Sequence, residues 1–178
     1  MPTPPSNDSS AQRWGKGMIT LACVLLLGLL TWIFNGWIDE QRNPNQQVRV
    51  QINNEGAREV VLERNRQGHY VSAGNVNGQP VEFFLDTGAT LVSIPQRLAQ
   101  RLGLEQGAPM QSETANGTVM TYATMLDSIE LGGIVQRNVR ANINPGQKGD
   151  DILLGMSFLK HLELTQRGNT LTLKEYLP

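Results

Sequence analysis

Glycine and asparagine divide the sequence beyond Glu59 into short runs that are either apolar or alternate between apolar and polar residues. These two residue types accept the positive φ of tight hairpins, and they occur at Asn77-Gly78, Asn116-Gly117, Gly132-Gly133 and Arg167-Gly168-Asn169. The runs between them are expected to be strands: EVVLER, HYVSAGNV, PVEFFLD, TVMTYATM, DSIELGG, NVRANINP, DILLGM, LELTQ and TLTLKEY. The pattern predicts an all-β domain over residues 59–178, mostly antiparallel and either closed or sandwiched.

One segment of this region, PQRLAQRLGL at residues 95–104, has the pattern of a helix instead. Pro95 suits the first helical position, and Gly103 suits the place where a helix ends. We therefore expect one short helix, or two, beside the strands.

Residues 17–38 carry no charged side chain over 22 residues, enough for a helix to cross a hydrocarbon core of about 30 Å. We predict a single transmembrane helix over residues 18–38, with Trp32 and Trp37 near its far interface. A cleaved signal peptide is the alternative, but its apolar region is usually about 7 to 15 residues, and TWIFNGW offers no small-x-small cleavage site. A buried helix of a soluble core would need apolar neighbours on every side.

The flanks of this segment differ in charge. Residues 1–17 are polar, lack apolar periodicity and contain Arg13 and Lys16, so they are expected to form a disordered cytoplasmic tail. The far flank begins with acidic residues. By the positive-inside rule the β domain then faces outward, which is the periplasm in a Gram-negative bacterium.

Residues 39–58 are polar and rich in Asn and Gln, so they are predicted to form a stalk between the helix and the domain. VRVQI at residues 48–52 alternates and can join a sheet edge. Because the stalk is expected to be extended and near the site, we also predict that the chain cuts itself between Asp39 and Arg58.

Composition excludes some classes of function. The net charge is -1 and the pI is near 6.1, so the chain lacks the basic surface that nucleic acid requires. The single cysteine, Cys23, lies in the apolar segment, and His69 and His161 have no metal-ligand spacing. No metal or other cofactor is expected. Asp150 and Asp151 are interpreted as a solvated loop.

The chemistry-bearing motif is FFLDTGAT, in which Asp86 follows an apolar run and precedes a glycine. A carboxylate at the end of a buried strand is partly desolvated, and a nearby glycine lets backbone N–H groups approach and orient its oxygens. Asp-Thr-Gly is also an ordinary turn tripeptide. The motif therefore gains meaning from its partner, ILLGMSFL, in which another apolar strand ends in glycine.

With these motifs the sequence resembles the retropepsin-like aspartic proteases. Their pattern is an apolar run, Asp-Thr/Ser-Gly-Ala/Ser, a hairpin flap, then two apolar residues and a glycine that opens a short helix. FFLDTGAT, ETANGTVMTYATM and ILLGMSFL occur here in that order, and the resemblance covers residues 59–176. It is closest in character to small bacterial membrane-anchored members. The resemblance implies a closed retropepsin-like β-barrel or sandwich.

The resemblance also implies roles for particular residues. Asp86 is the implied catalytic carboxylate, supported in its turn by Thr87, Gly88 and Ala89. The Thr87 hydroxyl would bond to the partner's loop, and the Gly88 carbonyl to substrate backbone. The implied flap consists of Thr114, Ala115, Asn116, Gly117 and Thr118, and the structural loop beneath the site contains Leu154 and Gly155.

A single Asp-Thr-Gly supplies half of an aspartic protease site, because the chemistry needs two carboxylates that share a proton. The expected partner is a second copy of the chain in a C2 homodimer, and the substrate is a peptide or protein. Viral enzymes have an acid and an arginine where Thr90 and Met156 stand, and those residues form an ion pair that supports the dimer. Something else must support a dimer of this chain.

Two other classes of function are compatible with the sequence. A non-enzymatic module on the same fold would bind a peptide or protein in its groove and would remain monomeric. A structural membrane protein would need no Asp86 at all.

Overall fold

The computed structural model describes residues 8–52, 56–114 and 117–176. The chain divides into two compact units, with the boundary between Glu40 and Gln41. The first unit is formed by helix α1 (Asp8–Arg42), whose last two residues belong to the second unit. In the described part of the chain, one stretch of helix, Gly17–Arg42, is long and apolar enough to cross a membrane, and a signal sequence has the same character.

Helix α1 extends beyond the predicted span of 18–38 at both ends. Residues 8–17, expected in the disordered tail, are helical, whereas residues 1–7 lie outside the described residues. No proline occurs between Pro5 and Pro44, so the sequence has no strong helix breaker near either end of the apolar segment.

The second unit contains the remaining described elements, which are mostly strands. In chain order they are β1 (Gln51–Ile52), β2 (Arg58–Glu63), β3 (Val71–Val76), β4 (Gln79–Leu85), β5 (Val92–Pro95), α2 (Gln96–Arg101), β6 (Pro109–Thr114), β7 (Gly117–Leu131), β8 (Ile134–Asn144), β9 (Ile152–Leu154), α3 (Met156–Leu159), β10 (Glu163–Arg167) and β11 (Thr170–Glu175).

Seven strands form one sheet in the order β3-β4-β9-β5-β8-β7-β6. The far half of β7 also pairs with β3, at Val76 with Ile129, so this sheet closes into a barrel. Strand β6 pairs only with the near half of β7, and the two form a hairpin. Most pairs are antiparallel, but β4 with β9 and β5 with β8 are parallel. The predicted closed, mostly antiparallel β domain is confirmed.

The other four strands form an antiparallel sheet in the order β1-β2-β11-β10. Its inward residues, which include Val60, Leu62 and Leu173, share one buried core with the barrel residues Phe83 and Leu154. The second sheet therefore covers the barrel, and burial of apolar surface holds the two sheets together.

The turn chemistry read from the sequence is confirmed at three hairpins. Asn77 and Gly78 have φ of 50° and 77° between β3 and β4, as a tight two-residue turn requires. Gly132-Gly133 joins β7 to β8, and Gly168-Asn169 joins β10 to β11. The fourth turn, between Thr114 and Gly117, contains residues 115–116, which lie outside the described residues.

Some predicted boundaries were wrong. TVMTYATM and DSIEL form one continuous strand, β7, because β8 pairs along its whole far part. Pro95 is the last residue of β5 and not the first of α2, since its ψ of 138° is extended. Helix α2 is correspondingly shorter than the expected 95–104, and it is followed by Gly103 with φ of 68°.

The predicted stalk is largely part of the folded domain. Asn43 and Asn45 are buried, and Val48 and Val50 pack against the core. Strand β1 pairs with β2, which confirms that this segment can join a sheet edge. The polar composition misled the prediction, because these Asn side chains are buried and their polar atoms are hydrogen-bonded within the domain. Residues 53–55 of the stalk lie outside the described residues.

Candidate active site

The two motifs singled out in the sequence meet at the carboxyl ends of β4 and β9. These strands are parallel, with Phe83 opposite Ile152 and Leu85 opposite Leu154. Immediately beyond them, the Asp86 N–H donates a hydrogen bond to the Leu154 carbonyl oxygen at 3.2 Å. The ILLG strand thus fixes the backbone from which the Asp86 side chain projects.

The turn at residues 86–89, called the Asp86 turn below, orients the carboxylate with its own backbone. The Gly88 N–H donates to Asp86 Oδ1 at 2.8 Å, and the Ala89 N–H donates to the Asp86 carbonyl oxygen at 3.2 Å. Asp86 is half-buried, while Thr87 and Gly88 are exposed. One carboxylate oxygen is therefore held by an N–H donor beside a surface open to solvent.

Gly155 lies directly beneath the Asp86 turn. A Cβ at this position would come within 2.6 Å of the Ala89 carbonyl oxygen and would also overlap the Leu91 carbonyl oxygen. The close approach lets the Met156 N–H donate to the Ala89 carbonyl oxygen at 2.7 Å. Leu154 is fully buried next to it. The loop predicted to support the site lies under the turn.

Thr90 and Met156 stand at the positions where viral enzymes have their ion pair. Both lie in the contact between the Asp86 turn and the start of α3. The Ser157 N–H donates to the Thr90 carbonyl oxygen at 3.0 Å, and Ser157 Oγ accepts from the Val92 N–H at 2.9 Å. Helix α3 therefore docks on the strand after the turn through backbone groups and one hydroxyl. Sequence reasoning missed Ser157, because its partner is a backbone amide.

The predicted flap is the hairpin of β6 and β7. Thr114 pairs with Gly117 at its tip, and Thr118 is exposed, whereas Ala115 and Asn116 lie outside the described residues. Below the tip, the hydroxyls of Ser112 and Thr121 are 2.8 Å apart.

The base of this hairpin is tied to the barrel. Asn142 Nδ2 on β8 donates to Ser112 Oγ at 3.4 Å, and Asn142 is buried. The hairpin is thus anchored to β8 by polar side chains, and the ladder of β7 with β8 begins at Tyr122, after the residues that pair with Gln111 to Thr114.

Charged residues cluster where the pairing of β4 with β9 begins, and sequence reasoning missed this cluster. Arg42 Nη2 lies 2.7 and 2.8 Å from the two carboxylate oxygens of Asp151 and 3.5 Å from Glu82 Oε2. Burial raises the pKa of the Glu82 carboxyl above its ordinary 4.5, and contact with Asp151 adds to the rise. A hydrogen bond from Asn43 and the charge of Arg42 oppose it. The interpretation of Asp151 as a solvated loop residue was wrong, whereas exposed Asp150 fits it.

The histidines have ordinary surroundings. The His69 ring contacts the Phe84 ring with centroids 4.8 Å apart, and the His161 N–H donates to the Phe158 carbonyl oxygen at the end of α3. Among the described residues, no group of three or more His, Cys, Asp or Glu side chains is arranged to hold a metal ion.

A closed barrel that packs an Asp-Thr-Gly turn on an apolar strand ending in glycine is the architecture implied by the sequence resemblance. The profile of the family described as gag-polyprotein putative aspartyl protease matches residues 72–161, which include the turn, the hairpin and the ILLG strand. The chain belongs to this family of retropepsin-like aspartic proteases.

Two curated relatives of the chain come from bacteria. An uncharacterized protein in the cobV 5' region of Sinorhizobium sp is 36% identical over 63% of this chain and 49% of that protein. Uncharacterized protein RP867 of Rickettsia prowazekii is 29% identical over 59% of this chain and 46% of that protein. The chain thus spans about half the length of the curated relatives it matches.

A solved structure shares the fold. The crystal structure of a retropepsin-like aspartic protease from Rickettsia conorii has a TM-score of 0.55 and 24% identity, over 72% of this chain and 94% of that one.

Proposed function

We propose that this chain is an aspartic endopeptidase whose active form is a homodimer, with one Asp86 from each copy. The observation that carries the proposal is the Asp86 turn, in which a half-buried carboxylate accepts the Gly88 N–H and rests on Leu154 and Gly155. No second Asp-Thr-Gly or Asp-Ser-Gly occurs in the sequence. A second copy is the simplest source of the second acid.

In the proposed reaction, one Asp86 carboxylate accepts a proton from water, and the water oxygen bonds to the scissile carbonyl carbon. The protonated partner carboxyl group donates its proton to the carbonyl oxygen. The resulting tetrahedral diol collapses and the C–N bond breaks: the leaving nitrogen takes a proton from one carboxyl group, and a diol hydroxyl returns a proton to the other carboxylate.

The hairpin of β6 and β7 is proposed to close over the substrate. Support comes from its place beside the barrel, where Ser112, Thr121 and Asn142 tie it to β8. Leu154 and Gly155 are proposed to act as structural supports, and Thr87 as a contact to the partner's turn.

Helix α1 is proposed to anchor the chain in a membrane, with the N-terminus in the cytoplasm and the protease domain outside, in the periplasm of a Gram-negative bacterium. Support comes from the length and apolar character of Gly17–Arg42 and from the basic residues Arg13 and Lys16 at its near end. Confinement to one membrane raises the effective concentration and favours pairing. Protease protection of sealed vesicles, with a tag at either terminus, tests this orientation.

The proposal is tested by replacing Asp86 with Asn in the full-length chain in detergent. Asn keeps the size and the acceptor for the Gly88 N–H but cannot exchange the proton, so we expect cleavage of an unfolded protein at pH 4 to 7 to fall at least about a thousandfold. The matched control is Asp127→Asn, an exposed carboxylate on β7, which should retain wild-type cleavage. Undiminished cleavage by D86N would reject Asp86 as a catalytic residue.

A further inference from the structure

The end of helix α1 delivers an arginine to the strands that carry the Asp86 turn. Arg42 Nη2 reaches both oxygens of the Asp151 carboxylate, at 2.7 and 2.8 Å, and lies 3.5 Å from Glu82 Oε2. One guanidinium therefore bridges an acid on β4 and the acid that precedes β9. Charge-assisted contacts to both oxygens of a carboxylate are among the stronger hydrogen bonds in proteins.

The bridged acids stand where the pairing of β4 with β9 begins. Glu82 and Asp151 immediately precede the first pair, Phe83 with Ile152, and the last pair is Leu85 with Leu154. Strand β9 has three residues, and it pairs with β5 only at Leu153. Because the strand is so short, its position at the Arg42 end and at the Leu154 end cannot vary independently. The Leu154 end is the acceptor for the Asp86 N–H.

Asp151 is also held from the side away from Arg42. Gln147 Nε2 donates to the Asp151 carbonyl oxygen at 2.8 Å, and Ser93 Oγ on β5 donates to Gln147 Oε1 at 2.9 Å. The backbone of Asp151 is thus tied to β5, and its carboxylate is tied to Arg42. Loss of Arg42 would leave the Asp151 backbone tied to β5 but would free its carboxylate from the guanidinium.

Arg42 is itself fixed in place. Its carbonyl oxygen accepts from Asn65 Nδ2 at 2.9 Å. The next residue, Asn43, is buried and donates from Nδ2 to Glu82 Oε1 at 2.7 Å. Since the backbone around Arg42 is held, forming the contact costs less backbone entropy than it would for an arginine on a mobile segment.

We propose that Arg42 is a positioning residue for the active site, acting through Asp151 and Glu82 on the strands that hold the Asp86 turn. The segment after the apolar helix is then a working part of the catalytic scaffold and not a spacer. The activity part of this inference rests on the proposed protease function. Its structural part, the order of β9 and the Asp86 turn, does not.

The chain supplies a matched control. Arg101 on α2 pairs with Asp150, the residue adjacent to Asp151, through a single contact of 3.1 Å. In this control pair both side chains are more than half exposed, at 60% and 56%. Arg42 is 55% exposed, so the two pairs differ in the acid, since Asp151 is only 30% exposed. Exposed pairs of this kind contribute little to stability. Removing Arg101 changes the charge as much as removing Arg42 but leaves the strand junction intact.

The test compares Arg42→Gln, Arg42→Lys and Arg101→Gln with the wild type, all as full-length chains in detergent. We expect R42Q to lower kcat about tenfold with little change in KM, because small misplacement of a catalytic group reduces the rate of chemistry more than substrate binding. R42K keeps the charge but presents one ammonium on a differently shaped side chain, so it should recover part of the loss. R101Q should match the wild type.

Hydrogen exchange on the same proteins separates this inference from the proposed function. R42Q should speed amide exchange in peptides covering Phe83–Val92 and Ile152–Leu159, and R101Q should not. If the wild type shows no Asp86-dependent cleavage, the proposed function fails, and exchange alone decides whether Arg42 orders the turn. Wild-type kcat together with wild-type exchange in R42Q would overturn the inference.

Discussion

The carbonyl oxygen of Ala89 accepts a 2.7 Å hydrogen bond from the N–H of Met156, across the space that a side chain at Gly155 would occupy. Only glycine lets the β9–α3 corner approach the Asp86 turn this closely.

Replacing Gly155 with Ala should therefore destabilise the domain, by about 3 kcal/mol or more, since the added Cβ meets backbone atoms that cannot rotate away. Gly146→Ala is the control, because a Cβ there meets nothing closer than Asn144 Oδ1 at 3.4 Å. Urea unfolding, followed by far-UV circular dichroism, measures the stability of both variants. Equal midpoints for the two variants would contradict the close packing of Gly155.

Asn45 joins the two sheets through its side chain. It donates from Nδ2 to the carbonyl oxygens of Glu63 and Val71, at 2.9 and 2.7 Å, and its Oδ1 accepts from the Glu63 N–H at 2.7 Å. Asn45→Ala leaves these backbone groups without partners, so we expect a loss of about 3 kcal/mol in unfolding free energy. The adjacent exposed residue provides the control, Gln46→Ala, which should change stability by less than about 0.5 kcal/mol. A segment that merely spaced the domain from a membrane would tolerate both changes.

The contrast between these residues shows what the sequence could reveal. The Asp86 turn, the hairpin turns and the ILLG strand were predictable because each is encoded by residues that are adjacent in the sequence. Arg42 and Asp151 are 109 residues apart, and Asn45 stands in a polar stretch that resembles a linker. Burial of such residues depends on partners that only the folded chain supplies, so composition predicted a stalk where the structure has a folded segment.

Glu82 should make the stability depend on pH in a specific direction. Burial raises its folded pKa above the ordinary 4.5, with Asp151 adding to the rise and with Asn43 and Arg42 opposing it. Between the unfolded and the folded pKa the native state binds more protons, so this group's contribution makes stability fall as pH rises through that window.

Glu82→Gln removes this titration and keeps an acceptor for Asn43. We therefore expect the variant to gain stability relative to the wild type at neutral pH and to lose that gain below pH 4.5. Urea midpoints measured from pH 4 to 7 test the difference. A gain that is the same at every pH would exclude Glu82 as its source.

If the active form is a homodimer, a D86N chain should inactivate the wild-type chain with which it pairs. When equal amounts of wild type and D86N exchange subunits freely, roughly a quarter of the dimers carry two wild-type Asp86 residues. About half of the wild-type chains are then paired with D86N and lack a complete dyad. Activity per wild-type chain should therefore fall to about half. A folded chain unable to dimerise is the control that should leave activity unchanged. Activity that stays proportional to wild-type chain despite demonstrated exchange would contradict a shared site, and a monomer at all concentrations would favour a non-enzymatic binding module.

Self-cleavage of the segment between Asp39 and Arg58 can now be predicted more narrowly. Asn43 and Asn45 are buried in the domain, and Arg42 is the proposed positioning residue. A product that begins beyond Asn45 lacks all three residues. A fully active soluble product should therefore begin at or before Arg42. Mass spectrometry of the released protein, with kcat measured on the same fraction and D86N as the uncut control, tests this. A fully active product that begins at Gln47 or later would show that residues 42–46 are dispensable. It would also count against Arg42 as a positioning residue.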